Sequence, residues 1–479
     1  MIKWYIALVL VTAAAIVSSS MWLGGGWMGG EADLYLVDHL SQQRPLVSRI
    51  LCPNEIDATE YQARELSFCT DQVDCWFIHA CCKAGHPHFL SVTAALFVIV
   101  ASLCNFYFMA ARLALPRVQA FLCSLLFCST PNIFFGLTYV RSSKFCVALL
   151  LFFLIWFIIL KLKTKIGKID AAVCFLLALA LCWSDRQGWY MVAATCGVLT
   201  AARFVFSKKF GLFIAATMSA AAAHMLYNFC LAPAVIKSVA GFDVSYAYQK
   251  LPWETLLHNK LYYAWAGVTT QLDTMSYFFG GVAPVVVLGV LLFVVWKLKS
   301  ERRWLVAGGF VLLAAMNSLM VLRHIALLKL DVKLVAYYYV PATVLLLVAT
   351  ANGLTLLNKT LSSKLATYGL LCLVASNIYN LPKAMDALHG GTMEGYILAT
   401  PYLKQAIREL ERAPSGASTT LYNEGRNSTC ALSPQSMIYN PYYDMVTSHT
   451  LNVQMFVYTS HFYNFLRSEK GLPFYQPPD

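Results

Sequence analysis

The chain has 479 residues, of which 59% are hydrophobic and only 13% are charged. This composition excludes an ordinary soluble protein and indicates a chain that crosses a membrane several times. The formal net charge of +12 does not argue for nucleic-acid binding, because most of the basic residues lie in short turns between apolar segments, where they set membrane orientation.

Apolar segments long enough to cross a bilayer occur eleven times along the chain. A spanning helix needs roughly 20 mostly apolar residues, and the segments that satisfy this rule lie at about 4–22, 89–111, 118–138, 145–161, 170–184, 188–206, 210–232, 277–297, 304–324, 335–352 and 365–381. We therefore predict an all-α polytopic membrane protein with about 11 transmembrane helices. No clean small-residue cleavage site follows the first segment, so it is interpreted as an uncleaved span.

The basic turns predict how these spans are oriented. With the N-terminus in the cytoplasm, Lys and Arg fall on the cytoplasmic side at 112–117, 161–168, 208–209, 297–303 and 359–364, as the positive-inside bias requires. The outer side then carries a first loop at 23–88, a middle loop at 233–276 and a C-terminal segment at 382–479. We predict a transmembrane domain at 1–381 and an extracytoplasmic domain at 382–479.

The C-terminal segment is predicted to form a small α/β cap. "LATPYLKQAIRELERA" has helical periodicity, and "STTLYNEG" is typical of a strand that enters a turn.

Cysteines and one glycosylation pattern bear on the compartment. Six cysteines fall on the predicted outer side, where disulfides are permitted: Cys52, Cys69, Cys75, Cys81, Cys82 and Cys430. Their spacing with nearby histidines matches no standard zinc pattern, so no metal and no other cofactor is predicted, and dependence on a divalent metal is left open. We predict a bacterial inner membrane with the site facing the periplasm. An endoplasmic-reticulum membrane is the alternative. The cysteines and the N-glycosylation acceptor triplet at 427–429 would suit that compartment.

Basic residues also occur on the outer side, against the insertion bias. Arg141 and Lys144 precede the fourth span, and Arg186 lies between the fifth and sixth. Guanidinium and ammonium groups at headgroup depth suit a phosphate or pyrophosphate. The alternative is that these side chains snorkel to lipid headgroups. Asp185 is expected to pair with its neighbour Arg186.

Three acids stand where the first span ends, in "GGEADLYLVDHL". If this stretch is helical, Glu31, Tyr35 and Asp38 share one stripe, and Asp33 faces the apolar side, where burial raises a carboxyl pKa. Helix capping is the alternative explanation for one of the acids. A carboxylate just above the bilayer, facing cations, suits glycosyl transfer from a lipid-linked donor. The acid deprotonates the acceptor hydroxyl, and the cations stabilise the departing phosphate.

The sequence resembles the integral-membrane GT-C glycosyltransferases, in particular the protein O-mannosyltransferases and the bacterial transferases that attach aminoarabinose to lipid A. "GEADLYLVDHLSQQRP" stands where that family has an acidic motif after the first span, and "GHPHFL" stands where it has a Pro-containing motif. "LVAYYYVPATVLLLVATANGL" is similar to a later helix of the family. Three departures are visible: Gly30 replaces the first acid, Ser143-Lys144 replaces a Pro-Asp pair, and the tyrosine helix lacks its adjoining Arg.

The resemblance implies a GT-C fold and a transferase that uses a polyprenyl-phosphate-linked sugar donor, with a lipid, glycan or protein acceptor. Glu31 or Asp33 would be the general base, supported by Asp38. The implied donor-phosphate ligands are Arg141, Lys144, Arg186, Arg323, Lys329, His86 and His88, and the implied substrate-lining residues are Tyr35, Trp253, Tyr262, Tyr337 and Tyr338.

Several of these residues have an ordinary structural interpretation. The two histidines also suit an interfacial turn, and the aromatic residues of the middle loop suit an interfacial belt. Asp71 and Asp74 are expected on the surface of the first loop. The alternative function is a transporter or flippase of a polyprenyl-linked or other amphipathic substrate. It is less favoured because the chain has no clear internal repeat and its charges gather at one face.

Overall fold

The computed structural model describes residues 2–22, 45–52, 61–83, 91–137, 142–161, 165–206, 210–245, 338–360, 362–389, 419–422 and 429–432, together with residues 289, 292 and 296. This part of the chain is mostly helical. The helices are α1 (Ile2–Trp22), α2 (Leu46–Leu51), α3 (Glu65–Lys83), α4 (Val92–Tyr107), α5 (Arg117–Cys128), α6 (Pro131–Leu137), α7 (Ser143–Lys161), α8 (Lys168–Ser184), α9 (Arg186–Phe206), α10 (Gly211–Leu226), α11 (Ala232–Ala240), α12 (Val340–Thr360) and α13 (Ser363–His389).

Three helical stretches within the described ranges are long and apolar enough to cross a bilayer: Val92–Arg112, Ser143–Lys161 and Gly211–Ala240. They coincide with the second, fourth and seventh predicted spans. This supports a helical membrane protein. The total of eleven spans stays a prediction, and the predicted spans at 277–297 and 304–324 lie outside the described residues apart from positions 289, 292 and 296.

Local sequence explains where several helices begin, end or widen. The predicted span at 118–138 divides at Ser129–Thr130, because Pro131 begins α6, and proline is favoured at the first position of a helix. α11 ends at Gly241, whose φ of 78° is a left-handed conformation that glycine adopts without strain. Two π-helical turns, Phe108–Arg112 and Tyr227–Leu231, continue α4 and α10.

The two largest apolar clusters of the described core share helix α7. One cluster packs α1, α4, α5 and α12 against the α7 face that carries Phe152 and Trp156. The other packs α8, α9 and α10 against the α7 face that carries Val147, Leu151 and Leu154. Because α7 is apolar on both faces, it lies inside the bundle, as expected for a helix with neighbours all round.

Helix α3 does not run alongside the bundle helices but crosses their ends. The Ser67 hydroxyl donates a hydrogen bond to the backbone carbonyl of Ser184, at the end of α8. Thr70 Oγ1 lies 2.5 Å from the Oγ of Ser142, directly before α7. These contacts and those of Asp74 gather the end of α8 and the starts of α4 and α7 at one end of the bundle. We call it the α3 end.

The expectation that Asp71 and Asp74 lie on a loop surface is wrong. Both residues are on α3, and their exposed fractions are 3% and 0%. Asp74 Oδ1 accepts a hydrogen bond from the Thr93 backbone N–H at 2.8 Å. Its Oδ2 accepts from the hydroxyls of Ser91 at 2.5 Å and Thr93 at 2.7 Å. Asp74 therefore caps the N-terminus of α4 from a neighbouring helix and satisfies backbone donors that a helix start leaves open.

The described C-terminal residues agree with part of the predicted cap. Strand β1 (Thr419–Tyr422) pairs antiparallel with β2 (Thr429–Leu432), with Thr419 opposite Leu432, so the strand predicted in "STTLYNEG" is confirmed. The helix predicted in "LATPYLKQAIRELERA" lies outside the described residues. Helix α13 continues to His389, beyond the predicted boundary at 381, and the division into two domains stays a prediction.

Candidate functional site

A cleft of about 240 Å³ lies at the α3 end of the bundle, where α8 ends and α9 begins. Polar, cationic and aromatic side chains share its walls with apolar ones. The lining residues are Gln62, Ala63, Cys182, Arg186, Trp189, Tyr190, His224, Met225, Asn228 and Phe229. Three parts of the chain therefore build it: the segment before α3, the α8–α9 junction, and the last turns of α10 with the π-helical turn that follows.

The α8–α9 junction positions Arg186 because Asp185 caps α9. The Asp185 Oδ1 atom accepts a hydrogen bond from the Gln187 backbone N–H at 2.9 Å, which is how an aspartate caps a helix. Gly188 then allows the two helices to approach closely, since a Cβ at this position would overlap the carbonyl oxygen of Leu181. Arg186 is consequently the first helical residue after a tight reversal and lies on the cleft wall.

The opposite wall is held by backbone contacts of Ala63. Its N–H donates to the Oδ1 atom of Asn228 at 2.8 Å, and its carbonyl oxygen accepts from the Nε2 atom of His224 at 3.0 Å. Both groups lie on the helical stretch formed by α10 and its π turn. The segment before α3 is thereby fastened to α10, and the imidazole and the amide lie at a defined place beside Arg186.

Lys144 and Asp185 form a buried ion pair next to the cleft. Their Nζ and Oδ1 atoms are 2.6 Å apart, and the two side chains are 3% and 4% exposed. Burial by itself would raise the pKa of Asp185, but the Lys144 ammonium and the bonds to the carboxylate lower it to about 2. The expected pairing of Asp185 with Arg186 is therefore corrected: the carboxylate binds Lys144, which folding brings from α7.

The ion pair also ties α12 to the α3 end. The Lys144 ammonium lies 4.2 Å from the ring centroid of Tyr338, within the range of a cation–π interaction. The Gln187 amide donates to the Tyr338 carbonyl oxygen at 2.7 Å. Three parts of the chain, at 144, 185–187 and 338, thus meet in one buried polar cluster.

The structure describes three predicted site residues, the phosphate ligands Lys144 and Arg186 and the substrate-lining Tyr338, and it places them differently. Arg186 lines the cleft, whereas Lys144 is buried in its ion pair and Tyr338 is buried beneath it. Neither Lys144 nor Tyr338 is a lining residue. The remaining predicted site residues lie outside the described part of the chain: Glu31, Asp33, Tyr35, Asp38, His86, His88, Arg141, Trp253, Tyr262, Arg323, Lys329 and Tyr337.

Sequence reasoning missed Glu65, an acid at the start of α3. Its Oε1 atom accepts hydrogen bonds from the hydroxyl groups of Tyr61 at 2.7 Å and Tyr227 at 2.8 Å. Burial raises the pKa of Glu65, although the two hydroxyls act in the opposite direction. No local pattern pointed to this cluster, because Tyr227 is 162 residues away along the chain.

The described residues contain no group of three or more His, Cys, Asp or Glu side chains arranged to hold a metal ion. Among the predicted outer cysteines, Cys52 and Cys75 are buried and Cys69 is exposed. The described lining residues of the cleft offer a guanidinium, an imidazole, a thiol, two amides and aromatic rings, which is a set suited to an anionic and hydroxylated group.

Comparison of the chain with models of protein families, with curated proteins and with solved structures gives no match.

Proposed function

We propose that this protein is a membrane glycosyltransferase that moves a sugar from a polyprenyl-phosphate-linked donor to an acceptor, and that the cleft at the α3 end binds the donor headgroup. The observation that carries this proposal is the position of Arg186 in a cleft bordered by aromatic rings at the end of an apolar helical bundle. The expected GT-C fold and the outer-face location belong to the same proposal.

The phosphate would bind the Arg186 guanidinium. The planar fork of arginine matches a phosphate with two parallel hydrogen bonds, and it stays charged at every physiological pH. Arg186 is only partly exposed, so water screens its charge less than it screens that of a surface residue. A sugar phosphate would lose most of its hydration shell on entering the cleft, and its interaction with the Arg186 guanidinium would offset part of that cost.

The sugar would lie against the aromatic and amide groups. Trp189 and Tyr190 follow Arg186 on α9 and present ring surfaces, while Gln62 and Asn228 contribute amides from the other wall. Small-molecule sites are usually lined by apolar side chains with a few polar groups that fix the orientation of the ligand. Sugars have both hydroxyl groups and apolar C–H faces, so they suit this mixture.

The polyprenyl chain would leave the cleft on the side of α10. Met225 and Phe229 line the cleft and are nevertheless 44% and 47% exposed. Both belong to the stretch Gly211–Ala240, which is apolar enough to span a bilayer. A lipid-linked substrate needs such a border, because its isoprenoid tail stays in the membrane while its headgroup reacts.

The general base remains the sequence-based hypothesis of Glu31 or Asp33, with Asp38 in support. We also keep the periplasmic face of a bacterial inner membrane as the proposed location and leave the acceptor as a lipid, a glycan or a protein. The alternative of a transporter or flippase is favoured by one feature, the π-helical turn Tyr227–Leu231 at the cleft, since interrupted helices are common at the binding sites of transporters.

Substitution of Arg186 tests the proposal. Parent, Arg186→Ala and Arg186→Lys proteins in lipid nanodiscs would be assayed for binding of a polyprenyl-phosphate sugar and for sugar transfer to candidate acceptors. Loss of a charge-assisted pair worth about 1.5–3 kcal/mol should weaken binding by Arg186→Ala roughly 10- to 100-fold. The affinity of Arg186→Lys should lie between those of the parent and Arg186→Ala, because lysine keeps the charge but lacks the planar fork of arginine.

Arg203→Ala is the matched control, since Arg203 lies on α9 in its last turn, far along the helix from the cleft. This variant should bind like the parent. Parental affinity in Arg186→Ala would overturn the assignment of the cleft. Movement of the donor across a proteoliposome bilayer, with no new glycosidic bond, would establish transport instead of transfer.

A further inference from the structure

We propose that Glu65 is a positioning residue for the cleft: its carboxylate joins the two cleft walls through Tyr61 and Tyr227 and so maintains the geometry that binds the donor headgroup. This inference rests on the proposed function for its ligand. The contacts that carry it do not depend on any ligand, and they can be tested separately.

The first contact fastens the wall before α3. The Tyr61 hydroxyl donates to Glu65 Oε1 at 2.7 Å, and Tyr61 directly precedes the lining residues Gln62 and Ala63. The Tyr61 side chain is 0% exposed, and its backbone N–H donates to the Ser245 carbonyl oxygen at 3.1 Å. Tyr61 is thus held at both its backbone and its hydroxyl.

The second contact fastens the wall on α10. The Tyr227 hydroxyl donates to the same Oε1 atom at 2.8 Å, and Tyr227 directly precedes the lining residues Asn228 and Phe229 in the π-helical turn. The Trp183 ring packs edge-on against Tyr227, with centroids 5.4 Å apart, and against His224, with centroids 6.1 Å apart. The Trp183 ring therefore links the position of the Tyr227 ring to that of His224, which lines the cleft.

One carboxylate oxygen consequently serves both walls. Each bond is charge-assisted when Glu65 is ionised, and such bonds are stronger than bonds between neutral groups. Oε2 is buried and accepts no hydrogen bond from a described group. A buried oxygen without a donor is costly, and the two bonds to Oε1 offset part of that cost.

The charged state of Glu65 should affect the cleft. Burial raises the pKa of Glu65, while the hydroxyls of Tyr61 and Tyr227 and the charge of Arg64 act in the opposite direction. Protonation would make Oε1 a weaker acceptor for both tyrosines. We therefore expect donor affinity to fall as the pH falls through the pKa of Glu65.

The experiment compares Glu65→Ala and Glu65→Gln with the parent protein in nanodiscs. Asp74→Ala is the control, because Asp74 is a buried acid on the same helix that contacts the start of α4 and not the cleft. The ligand is a polyprenyl-phosphate sugar, a phosphodiester whose own charge is constant between pH 5 and pH 8. Dissociation constants across that range, KM, kcat and thermal unfolding would be measured for each protein.

Glu65→Ala should weaken binding about tenfold and raise KM with little change in kcat. Glu65→Gln should bind up to about threefold more weakly than the parent at pH 7, because its amide oxygen still accepts from both tyrosines but without charge assistance. It should also lose that part of the pH dependence which Glu65 supplies, because the amide does not titrate. Asp74→Ala should bind the donor like the parent, whatever its effect on thermal unfolding. Equal loss of affinity in Asp74→Ala, or parental affinity in Glu65→Ala, would overturn the positioning role.

Backbone hydrogen exchange separates this inference from the proposed function. Glu65→Ala should accelerate exchange at 61–63 and at 227–231 and leave exchange at 93–95 unchanged, whether or not any donor binds. If the parent binds no donor, the proposed function fails. The positioning role then stands or falls on the exchange pattern alone, and equal rates in parent and variant would end it.

Discussion

Replacing Asp74 with asparagine should make the folding stability of this protein less dependent on pH. Asp74 is fully buried. That burial raises its pKa from 3.8 to about 6, although the hydrogen bonds from Ser91 and Thr93 act in the opposite direction. A carboxyl group whose pKa is raised by folding binds more protons in the folded state than in the unfolded state. Its contribution to stability is therefore complete below pH 3.8 and is lost as the pH rises through about 6.

The size of the effect follows from the two pKa values. Their difference corresponds to about 3 kcal/mol, most of which falls between pH 4 and pH 7.5. Asparagine resembles the protonated acid: its oxygen can accept from the Thr93 N–H, and its amide can donate to the hydroxyl oxygens of Ser91 and Thr93. The stability of Asp74→Asn relative to the parent should therefore rise by about 2 to 3 kcal/mol over this pH range.

The measurement is denaturant unfolding in detergent micelles at about pH 4 and about pH 7.5, with tryptophan fluorescence as the signal. Asp74→Ala provides the contrast, because it removes all three accepted hydrogen bonds and leaves the Thr93 N–H without its partner. Because alanine does not titrate either, the stability of Asp74→Ala relative to the parent should rise by the same amount over this pH range, but it should lie about 1–3 kcal/mol below that of Asp74→Asn at both pH values. Parallel pH profiles for the parent and Asp74→Asn, within about 0.5 kcal/mol, would refute the reasoning about the buried carboxyl.

Two further predictions concern the α8–α9 junction. Lys144→Met should destabilise the protein by about 3–5 kcal/mol because it leaves the Asp185 carboxylate buried without its cation, and adding Asp185→Asn should restore much of that loss. A double-mutant cycle on unfolding free energies measures the coupling, and additive losses would show that the pair does not act as a unit. Gly188→Ala should prevent stable folding because its Cβ would overlap the carbonyl oxygen of Leu181. Gly211→Ala, whose added Cβ meets only ordinary contacts, should give a monodisperse protein in size-exclusion chromatography, and equal behaviour of the two alanine variants would contradict the close approach.

Apolar patterning predicted the helical class and the positions of individual helices. The predicted spans at 89–111 and 145–161 correspond to Val92–Arg112 and Ser143–Lys161. The segment at 210–232 extends to Ala240 in the structure, because the turn Tyr227–Leu231 continues the helix through a π-helical geometry that apolar periodicity does not reveal.

The candidate site was predicted in part. Arg186 was identified as an exceptional cation on the outer side, and the structure places it in the cleft. Lys144 had the same sequence signal and instead pairs with Asp185. Both are cations beside a span, and nothing local distinguishes one that meets a distant carboxylate from one that lines a cavity. Asp74 was wrongly expected on a loop surface and Glu65 was missed for the same reason, since both bind groups from other parts of the chain.

The sequence alone predicted a helical membrane protein, because the free energy of placing apolar residues in lipid depends on local composition and length. It also predicted where charges gather along the chain. Only the tertiary structure decided which of those charges are paired, which helix crosses the bundle ends and which walls enclose a cleft. These properties depend on contacts between residues far apart in the chain, such as Glu65 with Tyr227 and Lys144 with Asp185, and such contacts form only when the packing of whole helices fixes the distances between them.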